Sequence, residues 1–308
     1  MKLNSVVLFI ILCFSWGSTF LPLKLALADL PPFLLAALRF LLAGTVLLIW
    51  SRRKRLEPQD VWRLLLFGIV VIAGNYGPVF WGAQFLPSGL TGVLSFASVA
   101  LALPLFGLLY GHEKPSRRKL SGLFIGIIGF AFLAYSVTQG STNLGSSFSL
   151  KGILAIAAAA LANGWGAMLT RPFLLKYGAK KVAGLQMLSG GLVLLGLSLW
   201  LEQPNLAVFA SLTHPTTLVS YLYLVGIGSL LGFTLYQHLL AVWRISLLAT
   251  YNFVSPVIAL LLGFVVLHER FSPAQFFAIG LLLVATLVIV RREQGNKKLD
   301  TRKFGRSK

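Results

Sequence analysis

The chain has 308 residues, of which 57% are hydrophobic and 11% are charged, and its mean hydropathy is positive. Eight acidic residues accompany 27 lysines and arginines, which gives a formal net charge of +19. So few acids exclude an ordinary soluble surface, and the apolar fraction is typical of an integral membrane protein. The basic residues form short clusters between apolar runs, which favours loops on one membrane face over a nucleic-acid-binding surface.

Ten apolar runs of 18 to 24 residues follow one another along the chain. A bilayer core of about 30 Å requires roughly 20 helical residues, so each run is long enough to cross it. The runs are 5–27, 33–50, 62–84, 88–110, 119–137, 150–172, 182–201, 217–240, 246–267 and 273–290. A cleaved signal peptide ending near Ala28 is the alternative for the first run, but the run exceeds a signal h-region and many similar runs follow.

The basic residues lie almost entirely on one side of these runs. If the N-terminus is cytoplasmic, 23 of the 27 lysines and arginines fall in cytoplasmic connections or ends. Only Lys151 and Arg270 fall outside, while Lys24 and Arg39 lie within runs. The positive-inside rule therefore predicts a multi-pass protein of the plasma or inner membrane with both termini cytoplasmic.

The two halves of the chain carry related landmarks. Trp16-Gly17 recurs as Trp165-Gly166, and a second set of landmarks recurs 156 positions later. That set is Gly107, His112, Glu113 and Ser116, followed by Gly263, His268, Glu269 and Ser272. Because each half has an odd number of runs, the second must enter the membrane upside down, as in secondary transporters with a midplane substrate site. We predict an all-α protein with ten transmembrane helices as two inverted five-helix repeats, 5–137 and 150–291, and a basic disordered cytoplasmic tail, 292–308.

Several motifs make the chain resemble EamA-type proteins of the drug/metabolite transporter superfamily over about residues 5–291. They are Trp16-Gly17-Ser18-Thr19-Phe20, Pro31-Pro32, Arg39-Phe40, Asn252-Phe253-Val254-Ser255-Pro256 and His268-Glu269-Arg270. The resemblance implies ten helices in an inverted five-plus-five repeat and transport of small metabolites, often amino-acid export. It does not specify a substrate, because the family is broad.

Arg39 is the most costly residue in the predicted helices. A guanidinium inside a span costs roughly 2.5–3.5 kcal/mol on insertion scales and should face protein or water. It could hold a substrate carboxylate, or it could instead bond neighbouring carbonyl groups or pair with Asp29. Lys24 lies nearer the helix end, and we expect it to snorkel to the interface.

Polar and aromatic side chains within the runs are the other candidates for a substrate site, because polar groups in hydrocarbon usually point into the bundle. The substrate-lining candidates are Trp16, Arg39, Asn75, Tyr76, Trp81, Gln84, Asn163, Trp165, Tyr236, His238, Tyr251 and Asn252. The alternative is that the amides form interhelical hydrogen bonds and the aromatics anchor the membrane interface. His238 is the only histidine inside a run, which suggests a proton-coupling role.

Two further features concern helix geometry. Gly74 to Pro78 contains two glycines and a proline, which predicts a kink in the third span. Glu113 and Glu269 each precede a helix start, where Ser116 or Ser272 could cap the helix and its dipole favours a carboxylate.

The sequence contains no phosphate-binding loop, zinc-binding helix or grouped catalytic residues, so we expect no ATP use, cofactor, metal or enzymatic activity. We predict a secondary transporter that exports an amino acid or related metabolite by alternating access. Multidrug or nucleobase/nucleoside efflux is the alternative, and a non-transporting membrane enzyme or scaffold ranks behind both. The expected partners are membrane lipid and a small-molecule substrate but no nucleic acid, for a chain that is monomeric or dimeric.

Overall fold

The computed structural model describes residues 3–51, 55–109, 117–139, 146–243, 248 and 250–290. Within these ranges the regular elements are all helical and no β-strand is present. The α-helices are α1 (Leu3–Gly17), α2 (Phe20–Ala26), α3 (Pro32–Ile49), α4 (Pro58–Gly68), α5 (Gly74–Ala83), α6 (Ser88–Leu109), α7 (Arg117–Gln139), α8 (Ser146–Tyr177), α9 (Ala179–Leu197), α10 (Pro215–Tyr223), α11 (Thr234–Val242), α12 (Tyr251–Val266) and α13 (Pro273–Val290). The π-helical segments are Ile69–Ala73, Ser198–Glu202 and Leu224–Phe233, and Leu206–Thr213 forms a 3₁₀ helix. The predictions for His112, Glu113 and the tail 292–308 lie outside the described residues.

The helices have the length and composition of membrane spans. Among the described residues, six stretches are long and apolar enough to cross a membrane: Ser5–Ala26, Pro32–Ile49, Pro58–Ala83, Leu150–Tyr177, Ala179–Glu202 and Pro215–Val242. Four shorter apolar helices accompany them: Ser88–Ala102, Leu120–Leu133, Tyr251–Val266 and Pro273–Ala285. The prediction of an all-helical, multi-pass membrane protein is confirmed at this level.

The first and third predicted spans are irregular, although not as expected. The first is broken between α1 and α2, where Ser18 and Thr19 donate side-chain hydrogen bonds of 2.6 Å to the carbonyls of Phe14 and Trp16. Such local bonds compete with regular helix formation. In the third span the structure shows the π-helical segment Ile69–Ala73 directly before α5, and α5 continues as a helix through Pro78. The kink predicted at Gly74 to Pro78 stays a prediction.

The helices pack in pairs that combine the two halves of the chain. Helix α3 packs along α9, α6 along α12, and α7 along α13. In addition, α5 packs against α8, and α10 packs against α2. The interior of the molecule is therefore built from both halves, and residues distant in sequence meet there.

Two carboxylates cap helix starts in the opposite half of the chain. Glu269 accepts the backbone amides of Ser88 (2.5 Å) and Gly89 (3.0 Å), the first amides of α6. Glu202 accepts the amides of Phe33 (2.7 Å) and Leu34 (3.0 Å) at the start of α3. The first amides of a helix have no intrahelical acceptor, and a carboxylate satisfies them and opposes the helix dipole.

These contacts correct two expectations. Glu269 does not cap α13, the helix that follows it. Ser272 and Gln275 cap α13 instead, through reciprocal hydrogen bonds between side chain and backbone of 2.9 and 3.2 Å. Lys24 does not snorkel. Its Nζ donates to the carbonyls of Ala83, Gln84 and Leu86 at 2.8–3.1 Å, so it satisfies the last carbonyls after α5.

Candidate functional site

The molecule contains a cavity between helices from both halves of the chain. The cavity is partly open, and the space unoccupied by atoms within it and its opening amounts to about 650 Å³. Helices α1, α2, α3, α5, α6, α8 and α12 all contribute side chains. The lining residues are Trp16, Thr19, Phe20, Leu23, Arg39, Asn75, Tyr76, Val79, Phe80, Ser95, Phe96, Val99, Ile156, Ala160, Asn163 and Tyr251.

Six of the twelve candidates from the sequence meet in this cavity: Trp16, Arg39, Asn75, Tyr76, Asn163 and Tyr251. They lie on five different helices. The sequence selected each of them separately, and the tertiary structure makes them neighbours. Among the lining residues that the structure describes, Arg39 alone is charged.

The other six candidates lie outside the cavity lining. Trp81 packs on Phe85, with ring centroids 5.0 Å apart, and its carbonyl accepts a 3.0 Å hydrogen bond from Gln84 Nε2. Tyr236 and Asn252 are buried behind the lining. Trp165 is 41% exposed.

The side chain of His238 is also exposed, although His238 lies within a membrane-length helix. On α11 its neighbours Tyr236, Gln237, Leu239 and Leu240 form the buried side. Because consecutive helical positions point in different directions, His238 projects away from the interior. His238 was predicted to line the substrate site, and it is not among the described residues that line the cavity.

Arg39 is held by one side-chain hydrogen bond and by three aromatic rings. It is 3% exposed, and its Nε donates a 2.7 Å hydrogen bond to Ser229 Oγ. Its Cζ lies 5.0 Å from the ring centroid of Phe40 and 5.6 Å from those of Tyr76 and Phe80. Cation–π contacts of this kind are worth about 2 kcal/mol or more when desolvated. The sequence alternative of an Arg39–Asp29 pair is wrong, since Asp29 instead contacts Thr217 and His214.

Ser229 belongs to the π-helical segment Leu224–Phe233, which brings backbone unusually close to the site. A Cβ atom on Gly228 would lie 2.6 Å from Arg39 Nη2, so only glycine leaves room for the guanidinium there. The Gly228 carbonyl also accepts a 3.3 Å hydrogen bond from Trp16 Nε1. π-Helical segments are frequently found at functional sites, and this ten-residue segment bonds two cavity residues, Trp16 and Arg39.

Aromatic rings form much of the cavity wall and a second layer behind it. Trp16 lies 5.1 Å from Tyr251 and 4.9 Å from Tyr236, measured between ring centroids. Phe96 lies 5.9 Å from Tyr251 and 5.5 Å from Phe20. These tilted and edge-to-face contacts fix the rings against one another, so the wall is preorganised for an apolar or ring-bearing ligand.

The acidic side chains that the structure describes are engaged away from the cavity. Asp29 contacts Thr217 and His214, and Glu202 and Glu269 cap helices. Lys176 Nζ lies 2.6 Å from Glu57 and 2.8 Å from Asp60. No group of three or more metal-ligating side chains occurs among the described residues.

Sequence reasoning missed several residues that shape the site. Phe20 lies in the family-like motif around Trp16, so its position was a usable signal. Ser95 and Phe96 lie in an apolar run with no pattern that distinguishes them. Ser229 accepts its hydrogen bond from Arg39, which is 190 positions away in the sequence, and no local sequence feature indicates this contact.

The fold and cavity define a polytopic helical membrane protein with one buried, cation-containing site between its two halves. The chain matches the EamA-like transporter family over residues 3–135 and 150–291, and it belongs to this family. The resemblance carried by the Trp16–Phe20 and Asn252–Pro256 motifs is thereby confirmed.

The chain is also similar to named transporters. It is 28% identical over 289 residues to the uncharacterized inner membrane transporter YedA of Escherichia coli (strain K12), covering 89% of this chain and 86% of YedA. It is 28% identical over 278 residues to protein PecM of Dickeya dadantii, covering 89% and 88% of the two chains. A probable amino-acid metabolite efflux pump of Salmonella typhimurium is 27% identical over 279 residues, covering 89% and 90%. These relatives support a membrane transporter.

A solved crystal structure has a related fold. It superposes with a TM-score of 0.64 and covers 95% of this chain and all of its own. At 19% sequence identity, the likeness concerns the fold alone.

Proposed function

We propose that this protein is a secondary transporter that exports an amino acid or a related small carboxylate by alternating access. The observation that carries the proposal is Arg39: a buried cation that borders the cavity and has no carboxylate partner among the described residues. A buried charge without a counter-ion is costly, and a bound substrate carboxylate would offset that cost. The guanidinium can donate two parallel hydrogen bonds to such a group.

The proposed mechanism uses two inverted five-helix halves, 5–137 and 150–291. The two segments that match the family lie close to these halves. If the halves are exchanged, the first run takes the place of the sixth, the second that of the seventh, and so on. The contact of α5 (third run) with α8 (sixth run) then becomes the contact of α10 (eighth run) with α2 (first run). The α3–α9, α6–α12 and α7–α13 contacts each map onto themselves. This packing supports two equivalent units around a shared site, which is the arrangement that rocking-type alternating access requires.

The membrane orientation rests on charge. With the N-terminus on the cytoplasmic side, 23 of the 27 basic residues lie on that side of the membrane. The positive-inside rule favours this orientation, which also places the C-terminus and the start of α4 in the cytoplasm. The direction of transport as export is supported by similarity to the Salmonella typhimurium protein named as a probable amino-acid metabolite efflux pump.

Counterflow in proteoliposomes tests the proposal. The purified chain is assayed with amino acids, nucleobases and cationic drugs, with and without a pH gradient. Wild type should show saturable carboxylate flux, Arg39→Gln should abolish it, and Arg39→Lys should retain a part because it keeps the charge but loses the fork geometry.

Arg171 provides the matched control, since it is an exposed arginine on α8 that does not line the cavity. Arg171→Gln should transport as wild type does. Carboxylate flux in Arg39→Gln equal to that of wild type, at equal membrane abundance, would refute the role of Arg39. Saturable flux of nucleobases or cationic drugs alone would replace this proposal by the corresponding efflux function.

A further inference from the structure

We infer that the cavity selects carboxylates with a net charge of −1 and a ring-bearing apolar remainder, and that it discriminates against the zwitterionic form of the same skeleton. This inference rests on the proposed function and narrows its substrate class. It follows from three features of the lining: its charge, the direction in which Arg39 is held, and the neutrality of its remaining polar groups.

The described lining carries a charge of +1. Among the described residues that line the cavity, Arg39 is the only ionisable acid or base other than tyrosine, and none is Asp, Glu, Lys or His. The five acidic residues that the structure describes all have partners elsewhere: Asp29, Glu57, Asp60, Glu202 and Glu269. A bound monoanion therefore neutralises the site, whereas a zwitterion adds no net charge and leaves the site with its uncompensated cation.

The guanidinium is oriented so that a single carboxylate can reach it. Its Nε is bonded to Ser229, and Nη2 lies against the Gly228 backbone. Arg39 lines the cavity but Ser229 and Gly228 do not, so the edge formed by Nε and Nη2 faces the π-helical segment and the cavity lies on another side of the group. The rings of Phe40, Tyr76 and Phe80 surround it and restrict lateral movement.

The rest of the lining offers neutral groups and apolar surface. Its polar side chains are the amides of Asn75 and Asn163 and the hydroxyls of Thr19, Ser95, Tyr76 and Tyr251. None of these carries a negative charge to offset an ammonium group, which in a small α-amino acid would sit close to its own carboxylate and hence to Arg39. Like charges at such distances are unfavourable in a desolvated site. The rings of Trp16, Phe20, Phe80 and Phe96 instead favour an aromatic remainder.

The test uses ligands that share one skeleton and differ in charge. The full chain in lipid nanodiscs is titrated calorimetrically with 3-phenylpropionate (−1), phenylalanine (zwitterion), phenylalanine amide (cation when protonated) and propionate (−1 without the ring). We expect 3-phenylpropionate to bind at least about tenfold more tightly than phenylalanine, because like-charge juxtaposition in an interface costs several kcal/mol. Propionate should also bind more weakly than 3-phenylpropionate, since it lacks the ring.

Two internal controls separate charge from shape. Raising the pH until the amino group of phenylalanine is neutral should bring its affinity towards that of 3-phenylpropionate, with no change in the protein sequence. Arg39→Gln should weaken 3-phenylpropionate at least about tenfold and should not weaken protonated phenylalanine amide, because the substitution removes an attraction for the carboxylate and a repulsion for the ammonium group. The exposed-site variant Arg171→Gln should leave both affinities unchanged.

The outcomes distinguish this inference from the proposed function. If phenylalanine binds as tightly as 3-phenylpropionate and both depend on Arg39, the charge selectivity is refuted while carboxylate transport stands. If propionate binds as well as 3-phenylpropionate, the aromatic part of the inference is refuted. If no carboxylate shows Arg39-dependent binding, the proposed function falls as well. The ligand series on wild type alone decides the selectivity even if an Arg39 variant does not fold.

Discussion

Removal of the Glu269 carboxylate should destabilise the protein, because it removes the hydrogen bonds that join the turn before α13 to the start of α6. Glu269 accepts two backbone amides at the start of α6, at 2.5 and 3.0 Å. A hydrogen bond to a charged group contributes about 1.5–3 kcal/mol, and a carboxylate at a helix N-terminus gains about 0.3–1 kcal/mol from the dipole. Since Glu269 is only half-buried, solvent screens its carboxylate in part, and we expect Glu269→Ala to cost about 2–3 kcal/mol of unfolding free energy.

Glu269→Gln should cost less, about 1–2 kcal/mol, because the amide oxygen can still accept one hydrogen bond while the charge is lost. The unfolding free energy is measured by dodecyl sulfate titration of the purified protein in mixed micelles, followed by circular dichroism. The control is Arg270→Ala, a change at an exposed neighbouring residue, which should stay within about 0.5 kcal/mol of wild type. If Glu269→Ala costs no more than Arg270→Ala, the carboxylate cap does not hold these segments together.

Three further predictions concern orientation, pH and the tail. Reporter fusions after residues 56, 116 and 295 should read cytoplasmic and those after 143 and 210 external; a cytoplasmic signal at 143 would contradict inversion of the second half. Hydrogen bonds from Thr217 and His214 lower the pKa of Asp29, so this contact should stabilise the fold above the ordinary pKa of about 3.9 and be lost as the pH falls through the lower native pKa. Unfolding titrations should therefore show a stability deficit of Asp29→Asn at pH 7 that shrinks in acid, and a constant deficit would argue against the contact. Deletion of residues 294–308 should leave transport intact, since this strongly basic segment contains little apolar surface; lost transport at normal abundance would contradict that expectation.

Part of the cavity lining could be predicted because polar and charged side chains are rare in membrane-spanning helices. Arg39, Asn75, Asn163 and Tyr76 stand out in apolar runs, and each is costly there unless it faces the interior. That argument selects residues but not their direction. His238 met the same criterion, and the rotation of α11 places it on the exposed side.

Helix rotation is hard to obtain from a membrane sequence for a physical reason. In a soluble helix the polar face marks the solvent side, but lipid-facing and interior-facing surfaces here are both apolar. The exposed Ile10 and the fully buried Leu12 on α1 are chemically alike, and nothing local separates them. Phe96 of α6, which lines the cavity, was missed for this reason.

The all-helical class and the membrane character follow from the sequence alone, because a bilayer imposes a minimum length on each apolar run of the chain. The predicted final run, 273–290, coincides with α13. Only the tertiary structure shows which polar groups far apart in the sequence form hydrogen bonds with each other. The examples are Ser229 with Arg39, Glu269 with the start of α6, and Lys24 with the end of α5. Each of these groups could satisfy its hydrogen bonds in several ways, and the relative position of the packed helices determines which partner lies within 3 Å.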